Sequence, residues 1–242
     1  MTGERKILPI VMADIAHAAS PTERTVLDHG ETGFSRLWAA FSSRPCQTRL
    51  NSGPVTRTAL ADVNVLLLTS LAPAKLMMAD EVRIVRGFLD SGGMMLLTNN
   101  DMSREAIDVW VNLAREFGIQ SHGSVLRITP QTGQRGWHVS RYSGAGLARW
   151  LPETTDAPLC FQGTVASPVD GSVLVSYDGS ALAARQPLGK GEIYAFGGDM
   201  LGNAFALGQG APDRREMMPA NALLIDAVAA EILERVSVPV PR

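Results

Sequence analysis

Asp14 and His17 stand three residues apart, directly after the apolar run Lys6–Ala13. On a helical turn this spacing puts both side chains on one face, where a carboxylate raises the pKa of an imidazole that already titrates near neutrality. Such a pair acts as acid and base in proton transfer. It equally forms a loop hydrogen bond that fixes the chain after a strand. Asp199, in Gly197-Gly198-Asp199, adds a second carboxylate. It reads as a base or hydroxyl-binding acceptor, or as a turn aspartate beside glycines that let the backbone bend sharply. His29 extends the first pair to D-x-x-H…H, but no HExxH or CxxC spacing supplies further ligands. Neither a metal site nor a cofactor is expected.

A second set of residues suits recognition. Ser70, Asn99, Asn100, Asp101 and Asn203 are polar and follow apolar runs. Their amides and hydroxyls read polar substrate groups or cap the next helix. Arg135, His138 and Arg141, with Arg214 and Arg215, form a basic set in two loop-like stretches. Folded over the strand ends, they would hold a carboxylate, phosphate or sulfate through bidentate arginine bonds. Left in solvent, they are surface charge. Trp137 and Tyr142 beside them are a stacking wall or packing for the loop.

The elements that position these residues read from hydrophobic periodicity. Lys6–Ala13, Val63–Thr69 and Met94–Thr98 are continuous apolar runs, as strands buried on both faces require. Gly33–Phe41, Met77–Asp90 and Ser103–Phe117 carry apolar residues at helical spacing, and Asn221–Val236 closes the chain in the same pattern. Ser103 is the expected N-cap of its helix, and Gly92 and Gly118 are the expected left-handed stops. Gln47–Leu50 is a short extended piece closed by the turn cluster Asn51-Ser52-Gly53-Pro54. Gly171–Tyr177 and Ala181–Gln186 form a meander about Asp178-Gly179, and Glu192–Phe196 is a late buried strand. Strand–helix alternation implies parallel strands with right-handed crossovers, hence an α/β doubly wound, mostly parallel sheet. Ligands in such sheets bind beyond the carboxyl ends of the strands. That rule gathers Asp14, His17, Thr69, Ser70, Asn99, Asn100, Asp101, Asp199 and Asn203 into one expected crevice. We read residues 1–242 as a single domain with an irregular, strand-containing insert over about 130–187.

Composition narrows the functional classes. The chain of 242 residues has 22 Lys+Arg against 24 Asp+Glu, so no electrostatic footprint for nucleic acid or anionic membrane is expected. Two cysteines cannot build a disulfide scaffold or a Cys-rich zinc module. No run is long enough for a membrane span and no signal-peptide pattern is evident, which points to the cytoplasm.

Several phrases together resemble the class I glutamine-amidotransferase-like domains of flavodoxin-like fold, especially the non-amidotransferase branches that include ThuA-like proteins and the GIFT domain of an intraflagellar-transport subunit. The resemblance rests on Asp14-Ile15-Ala16-His17, on Val55-Thr56 through Leu66, and on Phe88-Leu89-Asp90-Ser91-Gly92-Gly93-Met94-Met95-Leu96-Leu97. Asn112 through Ile119 and Gly189 through Asp199 complete it. It spans most of the chain, Lys6 to Leu233. An amidotransferase places a cysteine within G-x-C-x-G after the strand that here ends at Thr98. This sequence has Asn99-Asn100-Asp101 instead, and neither Cys46 nor Cys160 has a glycine-framed setting. Glutamine hydrolysis is therefore not expected. Two readings remain. One is an enzyme of small-molecule metabolism using Asp14, His17 and Asp199 for elimination, cyclisation, lyase or isomerase chemistry on a small anionic metabolite. The other is a non-catalytic domain that binds a saccharide, a peptide or a partner. A homo- or hetero-oligomer is compatible with the small residues of the closing helix.

Overall fold

The computed structural model describes residues 8–18, 20–30, 32–69, 71–99, 103–123, 125–127, 147, 162–177, 179–203 and 219–237. Among the described residues, strands alternate with helices in the first half and run consecutively in the second. They are β1 (Ile10–Asp14), β2 (Gln47–Asn51), β3 (Val65–Thr69), β4 (Met94–Thr98), β5 (Ile119–Gln120) and β6 (Val125–Arg127). Then come β7 (Gln162–Thr164), β8 (Ser167–Pro168), β9 (Ser172–Tyr177), β10 (Ser180–Leu188) and β11 (Gly191–Phe196). The helices are α1 (Ser35–Ser42), α2 (Arg57–Leu60), α3 (Ala79–Asp90), α4 (Arg104–Glu116) and α5 (Pro219–Ser237).

Seven strands form one sheet in the order β2-β1-β3-β4-β11-β10-β9. The pairs from β2 to β11 are parallel, and β10 and β9 continue antiparallel. The meander therefore extends the principal sheet. Residues 172–187, expected inside the insert, belong to this sheet because β10 finds a full partner along β11. Short ladders β5–β8 and β6–β7 lie beside it.

Both faces of the sheet are covered, which is why its central strands are apolar throughout. Val11, Ala13, Val65, Leu67, Leu96, Tyr194 and Phe196 pack with Leu37 and Phe41 of α1 and with Leu224, Val228 and Ile232 of α5. The alternate residues Met12, Leu66, Leu68, Met95, Leu97 and Ile193 pack with α3 and α4 through Val85, Leu89, Ile107 and Trp110. Each fully buried Leu or Phe contributes roughly 1.5–3 kcal/mol. β2 is an edge strand and mostly exposed, so it shows no apolar run.

Local signals set the ends of the elements. Ser103 Oγ accepts from Ala106 N at 3.3 Å, as expected of an N-cap. At the end of α3, Gly93 N donates to Phe88 O and Gly92 N to Leu89 O, with Gly92 at φ +106°. This double bond pattern needs a left-handed residue, and glycine supplies it without a steric cost. Gly189-Lys190 joins β10 to β11 as a two-residue turn, with Leu188 facing Gly191. The helix expected from Met77 begins only at Ala79, and Met78 is exposed.

Candidate functional site

The register aligns Asp14 of β1 with Asn51 of β2 and with Leu68 of β3, placing Asp14 at the carboxyl edge of the parallel sheet. The chain turns immediately, and His17 folds back. Its backbone N–H donates to Asp14 Oδ2 at 3.1 Å, and its Nδ1 lies 2.8 Å from the same oxygen. The other ring nitrogen, Nε2, lies 3.3 Å from Glu81 Oε2. Asp14, His17 and Glu81 are all buried.

The two carboxylates are held from elsewhere as well. Asn51 Nδ2 donates to Asp14 Oδ1 at 2.8 Å. Val55 N donates to Glu81 Oε1 at 2.7 Å and Met78 N to Glu81 Oε2 at 2.8 Å. Glu81 thus satisfies an orphan N–H at the start of α3 from the third helical position, as glutamate does in a capping box. One cluster joins the ends of β1 and β2, the loop at Val55 and the start of α3.

The electrostatics favour the charged form of His17. Burial opposes protonation, but the hydrogen bond and charge of Asp14, then of Glu81, outweigh it and raise the pKa above its ordinary value. Burial of Glu81 likewise works against its charge, yet the bonds from Met78 N and Val55 N and the nearby His17 pull its pKa below the usual range. When protonated, His17 gives both N–H groups to carboxylates whose oxygens all accept bonds.

Asp199 lies elsewhere. β3 and β4 separate β1 from β11, so the strand ends stand about 14 Å apart across three strand spacings. Asp199 opens a buried 3-10 turn, Asp199–Leu201, closed by Gly202 N donating to Asp199 O at 2.7 Å. Asp14 and His17 therefore follow one strand end and Asp199 another, with two strands between them.

Asn203 is a staple of this same region. Its Oδ1 accepts from Arg36 N at 3.0 Å, and its Nδ2 contacts Asp28 O, Gly30 O and Ser35 Oγ at 2.8–3.0 Å. Both ends of the amide serve the 28–36 loop, not an incoming ligand. Asn99 is buried at the end of β4. Thr98 Oγ1 donates to Gly198 O at 3.2 Å, while among the described residues the buried Thr69 Oγ1 has no hydrogen-bond partner. Ser70, Asn100, Asp101, Arg135, Trp137, His138, Arg141, Tyr142, Cys160, Arg214 and Arg215 lie outside the described residues. His29 is exposed and apart from the cluster. Among the described residues, no group of three His, Cys, Asp or Glu is arranged to hold a metal ion. No helix among them is long and apolar enough to cross a membrane.

Glu81 and Asn51 were missed by the sequence reading. Asn51 sits in an obvious turn cluster, and Glu81 in the first turn of an obvious helix. The available signal was an acidic residue at the third position of α3, but a methionine rather than Ser or Thr precedes it, which hides the capping pattern.

No protein-family model matches this chain, and no curated protein is similar to it in sequence. Solved structures are similar in fold. The cytoplasmic protein STM1381 from Salmonella typhimurium LT2 matches 93% of this chain and 99% of its own, at 13% identity and a TM-score of 0.61. The mmIFT52 N-terminal domain matches 86% of this chain and 93% of its own, at 14% identity and a TM-score of 0.54. The exo-β-1,4-mannosidase Op5Man5 from Opitutaceae bacterium strain TAV5 matches 92% of this chain at 14% identity and a TM-score of 0.55. This chain spans only 36% of the mannosidase.

Proposed function

We propose that this chain is a non-catalytic recognition domain, with the Asp14–His17–Glu81 cluster serving to pin the carboxyl edge of its sheet. The observation that carries this reading is saturation. A general base needs a free lone pair and a general acid a proton it can release to substrate. Here both N–H groups of His17 are engaged by carboxylates, and each carboxylate is further bonded by Asn51, Val55 or Met78. The separation of Asp199 from this cluster argues the same way. The enzyme reading would need Asp14, His17 and Asp199 to share one substrate.

The strand order β2-β1-β3-β4-β11 supports a flavodoxin-like, doubly wound assignment of the glutamine-amidotransferase-like kind. The likeness to the cytoplasmic protein STM1381 supports a cytoplasmic setting. The mannosidase carries a similar fold as about a third of its length, which supports a role as a component beside catalytic units. The ligand of this domain is a saccharide, a peptide or a protein partner gripped at the carboxyl edge of the sheet.

The test is a panel of monosaccharides, short peptides and small carboxylates incubated with the full chain. Thermal unfolding reports binding and mass spectrometry reports turnover. The expected result is a ligand-dependent rise in Tm with every panel member recovered unchanged. Turnover of any member that disappears in a folded His17→Gln variant would overturn the reading.

A further inference from the structure

A groove of about 470 Å³ lies at the amino edge of the sheet, where β3 and β4 begin. Asp14 stands at the opposite, carboxyl edge. Arg57 of α2 lines one wall of the groove. Arg83, Ile84, Gly87 and Phe88, spaced along one stripe of α3, line the other, and Asn64 lines it just before β3. The volume falls in the range of small-molecule sites.

Two glycines shape this space. Gly87 sits inside α3, where glycine is a poor helix former. No atom from the rest of the fold lies within 4 Å of the position its Cβ would take, so packing within the chain gives no reason for a glycine there. Its missing side chain leaves the groove open. Gly93 has the contrary setting. A Cβ on it would fall 2.3 Å from the Phe88 ring, so this glycine lets the ring lie against the start of β4. Phe88 and Ile84 are half-buried and give the groove its apolar surface.

The charges lining the groove have one sign. Two arginines line it and no carboxylate does. Arg57 has no side-chain partner among the described residues. Arg83 pairs with Asp80, but the two side chains are 70% and 77% exposed, and such a pair in water is weak and exchanges readily with a ligand's charge. Asp62, in the turn after α2, is taken by both Nη atoms of Arg49 at 2.9 Å. Asn64 adds a neutral donor: its Oδ1 accepts from Ile10 N at 2.8 Å, which leaves the Nδ2 protons unbonded among the described residues.

We propose that this groove binds a small amphiphilic anion, with its apolar body on Phe88 and Ile84 in the space beside Gly87 and its oxyanion head drawn by Arg57 and Arg83. Long arginine stems let both guanidinium groups follow the head while their methylenes cover the body. The site shares no residue with the Asp14 cluster, and it is independent of the recognition reading, which places its ligand at the carboxyl edge.

2-Naphthoate is the probe, titrated into the full chain by calorimetry at constant ionic strength. The controls are 2-naphthalenemethanol, which keeps the rings without the charge, and acetate, which keeps the head without the rings. Naphthoate is expected to bind saturably, and the neutral alcohol about three- to tenfold more weakly. Arg57→Gln, an exposed change, weakens naphthoate about two- to fivefold. Gly87→Leu fills the groove and abolishes binding, while its Tm without ligand stays level or rises because leucine is the better helix former. No saturable binding, or either control bound as tightly as naphthoate, overturns the proposal. So does undiminished binding to Gly87→Leu, which would move the ligand elsewhere and leave the recognition reading untouched.

Discussion

The cluster at the end of β1 and the cluster of Arg185, Glu192, Tyr194, Glu231 and Arg235 beside β11 are built from the same kinds of group, and each is buried against a helix. In the first, every proton of the His17 ring meets a carboxylate, and backbone or amide donors fill the oxygens that remain. In the second, Arg235 bonds both glutamates, Arg185 has only a 3.7 Å ion pair to Glu231, and among the described residues the Tyr194 hydroxyl has no hydrogen-bond partner. The difference teaches what completing a buried polar network achieves. A satisfied network has nothing left to offer a ligand, and its chemistry is spent on holding the chain. An unsatisfied one carries buried polar atoms at a cost to stability.

This contrast makes predictions of opposite sign. The largest effect belongs to Glu81→Ala, which strands an imidazolium and two backbone N–H groups. It should destabilise the fold by about 3–5 kcal/mol in urea unfolding, the range for breaking a buried ion pair. A loss below about 1 kcal/mol would remove the pin from the argument. Asp14→Asn comes next. It keeps an acceptor for Asn51 but sets an amide against the donors of His17, and should cost about 1–3 kcal/mol by the same measurement.

The pH dependence should be smaller and has a definite sign. The pKa of His17 is raised on folding, so its contribution is complete below its unfolded value of 6.5 and is lost as pH rises through the folded value. The pKa of Glu81 is lowered, so its contribution is complete above its unfolded value of 4.5 and is lost as pH falls through the folded one. The stability gap between wild type and His17→Gln should therefore be widest between these two values and should narrow on the alkaline side. A gap that widens with rising pH would mean that His17 is neutral in the folded protein. The smallest effect sharpens the comparison from the other cluster. Tyr194→Phe deletes a hydroxyl with no hydrogen-bond partner among the described residues, so stability should change by less than about 0.5 kcal/mol or rise slightly.

Much of the fold was legible because its signals are local. Val65–Thr69 and Met94–Thr98 are apolar throughout because both faces of the sheet are covered, and that alone marks them as central strands. Ser103 and Gly92 declare the ends of their helices through hydrogen bonds to residues three to five positions away. The pairing of Asp14 with His17 was legible for the same reason, since the two are three residues apart. Glu81 was not, because it lies 64 residues from His17 and its helix would look the same without that contact. Asn203 looked like a ligand-reading amide, yet it reaches back some 170 residues to staple the 28–36 loop. The meander was recognisable as two strands, but its place beside β11 depends on which edge of the parallel sheet was left open.

Sequence alone was enough for the alternation of strands and helices, the parallel core and the Asp14–His17 contact. These follow from periodicity, capping and short-range spacing, which a single chain carries in full. Only the tertiary structure decided which charges meet. It brought Glu81 to the free nitrogen of His17, held Asp199 three strand spacings away, and bonded both glutamates of the second cluster to Arg235. A polar group buried in a low-dielectric interior is either satisfied or costly, and which it is depends on partners that distant segments supply.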